Sequence, residues 1–89
     1  MRRSLEIRQA VAIQHSQYRA SKLRRFVEDL RRIERSLVEE IKAEELRTHR
    51  YDPTEFDYST LATAMRERLD NLRVTISRLE SDVQSSLAA

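Results

Sequence analysis

The chain has no glycine, no cysteine and no tryptophan, and one proline among 89 residues. Each absence narrows the field. Without glycine there are few easy ways to turn sharply, and no glycine-rich loop that cradles phosphate. Without cysteine there is no disulfide framework and no thiolate metal site. Aromatic residues make up 6% and apolar residues 39%, too little to fill a sizeable globular core. No apolar run approaches the roughly 18 residues expected of a membrane span. The start, Met1-Arg2-Arg3-Ser4-Leu5-Glu6-Ile7-Arg8, is basic but lacks the apolar stretch of a secretory signal. The expectation is a cytoplasmic protein with no direct membrane insertion.

What the chain does have is charge, at 36%. Such a composition fits either long helices or disorder, and periodicity decides between them. From Tyr58 the apolar residues follow a 3–4 spacing through four heptads. Ala62, Leu69, Ile76 and Val83 take position a, and Tyr58, Met65, Leu72 and Leu79 take position d. The spacing predicts a helix over 57–86, about 45 Å long, weakening at Ser86. Upstream, Leu23, Phe26, Leu30, Ile33 and Leu37 share the spacing, and Val27, Ile41 and Leu46 widen the stripe. Leu5, Ile7, Val11 and Tyr18 lie further back and out of register, a slip of the kind that changes local winding. With no glycine or proline before Arg50, one helix is expected over 4–48, about 65 Å long.

Asp52-Pro53-Thr54-Glu55 reads as a helix start. Asp52 can cap, proline suits the first helical position, and Glu55 can reach back. The turn spans 49–57, and short connections join antiparallel neighbours. The expected fold is all-α: an antiparallel two-helix coiled-coil hairpin, 1–89, with helix one longer than helix two. The alternative is a continuous helix in a dimer, kinked at Asp52-Pro53. Tyr51, Phe56 and Tyr58 are expected to plug the turn end. Folding back near residue 53 leaves about the first 15 residues without an intramolecular partner, with Leu5, Ile7 and Val11 bare on a basic, projecting helix end.

Charge is graded along the chain. Residues 1–35 carry ten Arg and Lys against four Asp and Glu, residues 36–57 three against seven, and residues 58–89 four of each. His15 and His49 lie apart, which argues against a metal site. Glu39, Glu40, Glu44 and Glu45 read as a solvated face, with helical ion pairs such as Glu45–His49 and Glu28–Arg32. Nothing encloses them for acid–base work. No catalytic residue, cofactor or small-molecule substrate is expected. The arginine series from Arg2 to Arg35 suits a solvated coiled-coil flank first, an acidic protein surface second, and nucleic acid last.

The stretch Tyr51-Asp52-Pro53-Thr54-Glu55-Phe56-Asp57-Tyr58, its Ala-rich sequel and Arg68-Leu69-Asp70-Asn71-Leu72 resemble the mid-chain hairpin of the FliJ family of flagellar export proteins, in its alphaproteobacterial form. The upstream Ile33–Glu45 segment is similar in character, and the resemblance covers about residues 20–85. Members of that family often carry proline where this chain has Ser59, and their second helix is as long as the first. The resemblance therefore implies a short or truncated member, lacking what would pair with residues 1–17. It also implies a cytoplasmic coiled-coil part, stalk or adaptor, peripheral at the flagellar type III export apparatus. The implied partners are the export ATPase, the export gate and export chaperones. By analogy with a stalk whose termini enter a ring, Arg2, Arg3 and Arg8, with Leu5, Ile7 and Val11, are the expected partner-binding residues. A self-associating structural coiled coil, including a homodimer, is the competing reading, and a nucleic-acid-binding hairpin the third.

Overall fold

Residues of good helix propensity, uninterrupted by glycine or proline, carry α1 from Arg2 to Thr48 (47 residues) and α2 from Thr60 to Ala88 (29 residues). The computed structural model describes the backbone of residues 2–88 and the side chains of residues 4–87. The helices lie antiparallel along one seam, forming a rod of 72 × 18 × 13 Å. Paired side chains show the direction. Glu45 meets Arg66 near the turn, and Arg31 meets Glu80 toward the termini.

Helix two follows the heptads read from its sequence. Ala62, Met65, Leu69, Ile76 and Val83 are buried, and Leu72 and Leu79 are half-buried. Leu37, Ile41, Met65 and Leu69 form the core cluster, with Val38 and Leu72 packed against it.

Helix one uses a different phase from the one expected. Its inward residues are Ala20, Leu23, Val27, Leu30, Glu34, Leu37, Ile41 and Glu44, an unbroken 3–4 alternation. Phe26 (51% exposed) and Ile33 (49%) fall outside it, and Leu46 is also exposed. The two phases share Leu23, Leu30 and Leu37, and Val27 and Ile41, expected at the edge of the stripe, lie within the observed one. Continued one step beyond Leu23 and Leu37, the expected phase would reach Arg19 and Glu40 and bury a charge at each end. The observed one runs from Ala20 to Ile41. Its Glu34 accepts a hydrogen bond from Arg73 of α2 at 3.1 Å.

The connection also differs in detail. Thr48 donates its hydroxyl to the carbonyls of Glu44 (3.0 Å) and Glu45 (3.3 Å), satisfying the last turn of α1. His49 then takes a left-handed conformation (φ 55°), the role glycine fills after many helices. Asp52-Pro53-Thr54-Glu55 forms a turn and does not begin α2. The Glu55 amide bonds to the Asp52 carbonyl at 3.1 Å, and the Thr54 amide and hydroxyl both bond to the Asp52 carboxylate. A turn and the first turn of a helix begin alike, which is why the sequence looked like a helix start.

Here the chain winds once more, with the Tyr58 amide on the Glu55 carbonyl, and α2 starts at Thr60 instead of residue 57. Its cap is Ser59, whose hydroxyl accepts the Ala62 amide at 3.1 Å. Of the three expected plug aromatics only Tyr58 is buried. Tyr51 and Phe56 stand in solvent.

Ile76 is the largest fully buried side chain among the described residues. Ile76→Ala is expected to destabilise the hairpin by about 2–5 kcal/mol. Val74→Ala, two residues away on the exposed face, should stay within about 0.5 kcal/mol. Urea titrations followed by circular dichroism check both values.

Candidate protein-docking surface

The shorter helix sets the geometry of the terminal end. Ala20 is the first buried residue of α1, and N-terminal to it every described side chain is exposed except the half-buried Ser16. About the first 16 residues of α1 extend beyond the end of α2, roughly 24 Å of helix. Leu5, Ile7, Val11, Ile13 and Tyr18 are all exposed on this overhang. The structure thus places Leu5, Ile7, Val11 and Arg8 in solvent on one projecting helix, as expected. The side chains of Arg2 and Arg3 lie outside the described residues. Ile13 and Tyr18 join the bare set, and Lys22 stacks its ammonium 4.9 Å from the Tyr18 ring centre. A groove beside them is lined by His15, Tyr18, Arg19 and Lys22.

The turn end is closed by polar side chains, and here the sequence reading needs its main correction. Glu44 (8% exposed) and Glu45 (9%) are buried, while Glu39 and Glu40 remain in solvent. Glu45 does not pair with His49. Its Oε2 accepts the Tyr58 hydroxyl at 2.8 Å and an Arg66 guanidinium nitrogen at 3.0 Å. Arg66 Nε donates to the same tyrosine oxygen at 2.8 Å, and the guanidinium sits 5.7 Å from the ring centre. Glu44 is held by Arg47 and by the Ser59 hydroxyl at 3.0 Å. Ser59 therefore caps α2 and ties it to α1 with one oxygen. Arg32 pairs with Asp29 and not with Glu28. No buried side-chain polar atom among the described residues lacks a hydrogen-bond partner.

All three seam glutamates are held below the usual carboxylate range. For Glu45 the hydrogen bond from Tyr58 contributes most, then that from Arg66. For Glu44 the largest cause is Arg47, with Ser59 adding to it. For Glu34 it is Arg73, with Arg31 assisting. Burial opposes each shift and is outweighed. Burial pushes the Tyr58 phenol up, so it stays protonated and donates to Glu45. Carboxylates kept ionised by arginines serve as ion-pair partners and make poor general acids.

Among the described residues no three His, Asp or Glu side chains converge to hold a metal ion, and no helix is long and apolar enough to cross a membrane. Comparison with protein-family models, curated proteins and solved structures finds no match to the chain.

Three outcomes are expected for the polar lock. A carboxylate whose folded pKa is depressed stabilises the fold above its unfolded value, near 4.3, and loses that contribution as pH falls through the folded value. The thermal midpoint should therefore hold from pH 7 to about 5 and drop steadily below about 4. Glu45→Gln should lower the midpoint at pH 7 and flatten the acid limb. Tyr58→Phe removes one donor from the Glu45 carboxylate and should cost about 1–3 kcal/mol in chemical denaturation at neutral pH.

Proposed function

We propose that this chain is a non-enzymatic coiled-coil component of the flagellar type III protein export apparatus, a stalk or adaptor that docks the export ATPase and export gate through the overhanging part of α1. The observation that carries the docking half of this reading is the bare segment itself. Five large apolar side chains exposed on one helix end, none of them packed against α2, are what a protein interface would cover. Their setting is basic, with Arg8 and Arg19 in the described part and Arg2 and Arg3 before it. An acidic protein surface is the complementary partner. The assignment to the export apparatus rests on the resemblance of residues 51–72 to the FliJ hairpin. A role with export chaperones belongs to the same reading.

The test is co-sedimentation with the hexameric flagellar export ATPase over a range of salt. Co-migration at moderate salt is expected. Reversing Arg2, Arg3 and Arg8 to glutamate should weaken it by about tenfold or more, a loss of about 1.4 kcal/mol or more, while the helical circular dichroism signal is kept. Unchanged binding of the triple variant would remove the overhang from the assignment. Absence of any association would sink the export reading, and steeply salt-dependent retention on nucleic acid would replace it with the third reading.

A further inference from the structure

The two flanks of the seam differ in chemistry. One is bridged by interhelical ion pairs: Arg66–Glu45 at 3.0 Å, Arg73–Glu34 at 3.1 Å and Arg31–Glu80 at 2.6 Å. The other flank carries the residues that immediately precede the a positions. On α1 these are Arg19, Phe26, Ile33 and Glu40, each just before an inward residue (Ala20, Val27, Glu34 and Ile41), and on α2 they are Leu61, Arg68, Thr75 and Asp82. Phe26, Ile33 and Leu61 are about half exposed, and among the described residues no interhelical ion pair lies on this side.

We propose that a second copy of this chain docks on the Phe26–Ile33 face, turned end for end, to give a two-fold antiparallel dimer of hairpins. The stripe itself specifies the occupant. Read in either direction across a two-fold axis between Phe26 and Ile33, it is its own complement. Phe26 of each copy meets Ile33 of the other, and Arg19 of each meets Glu40 of the other. A self-complementary patch of this kind is the mark of an isologous interface.

The charge gradient acts in the same direction at longer range. Residues 1–35 hold ten basic side chains against four acidic, residues 36–57 three against seven, and α2 has no net charge. The hairpin is therefore a rod with a basic terminal half and an acidic turn half. Two such rods attract when antiparallel and repel when parallel. Asp29, close to the axis, is already paired with Arg32 on its own helix.

The dimensions suit the arrangement. The axis falls near the middle of α1, so the rods overlap along most of their length, and the end-for-end turn lays each overhang from about residue 11 along the α1 of the other copy.

The inference does not rest on the export reading, and its test needs no other protein. Because the chain contains no cysteine, introduced thiols report on geometry without background. Arg19→Cys and Glu40→Cys would be made singly and together, and each protein oxidised at equal concentration. The double variant should form a covalent dimer. The single variants should not, since their thiols lie about 30 Å from their own copies across the axis.

Sedimentation equilibrium of the unaltered chain should give twice the 10.6 kDa chain mass. The paired substitution Phe26→Glu with Ile33→Glu, at exposed positions that spare the seam, should return it to a single chain with its helix content kept. A chain that stays at 10.6 kDa at every concentration leaves the face to a different protein and overturns the proposal. Cross-linking of either single variant, or a dimer that survives the Phe26 and Ile33 charges, overturns it equally.

Discussion

Leucine, valine and alanine side chains would pack nearly as well if one helix slid past the other by a heptad. A buried carboxylate would not. Sliding α2 by seven residues, about 10 Å, would in one direction put Arg73 beside Glu45 but Glu80 beside Glu34, and in the other put Arg66 beside Glu34 but leave Glu45 without an arginine. Either way Glu45 loses the Tyr58 hydroxyl and one carboxylate stays in the seam without a cation, a loss of several kcal/mol that the apolar contacts could not recover. The lock at Glu45, Tyr58 and Arg66 fixes the register. The register in turn decides how much of α1 is left beyond α2, which stripe of α1 faces outward, and which charges sit at each end of the rod. Much of what the molecule leaves exposed follows from where Glu34 and Glu45 find their arginines.

The two ends are accordingly unlike. At the turn, hydroxyls, guanidinium groups and carboxylates interlock with Ala62 and Met65 beneath them, and α1 is finished by its own Thr48. Toward the termini the seam thins. Leu23, Val27 and Leu30 are only half-buried, and beyond Ala20 α1 continues alone. Local opening should grow from the turn outward, because protection follows packed apolar contacts. The part with the fewest packed contacts also bares Leu5, Ile7, Val11, Ile13 and Tyr18.

Helix two was legible in the sequence because its large apolar residues mostly occupy a single phase, with only isolated exceptions such as Val74. Helix one was less so, because Phe26 and Ile33 offer a second 3–4 stripe that shares Leu23, Leu30 and Leu37 with the first. Hydrophobicity alone favours that stripe, and the choice falls the other way through Ala20, Ile41 and the Glu34–Arg73 pair. Glu44 and Glu45 were hidden for a related reason. Carboxylates are rare in interiors, and the partners of Glu45 lie 13 and 21 positions away along the chain. The overhang needed only a comparison of lengths, which is why Leu5, Ile7 and Val11 were placed correctly.

The overhang has one further property that comes from being continuous with α1. A free peptide of about 16 residues sits near the length at which a helix is marginal in water, because its first turn must be nucleated before any other can add to it. Here nucleation has already taken place inside the hairpin, and the overhang needs only to propagate outward from Ala20. The packed part of the molecule serves as a template for a segment that it barely touches. A partner docking on residues 2–19 would thus meet a helix already wound, and the affinity lost to ordering a flexible recognition peptide would be spared.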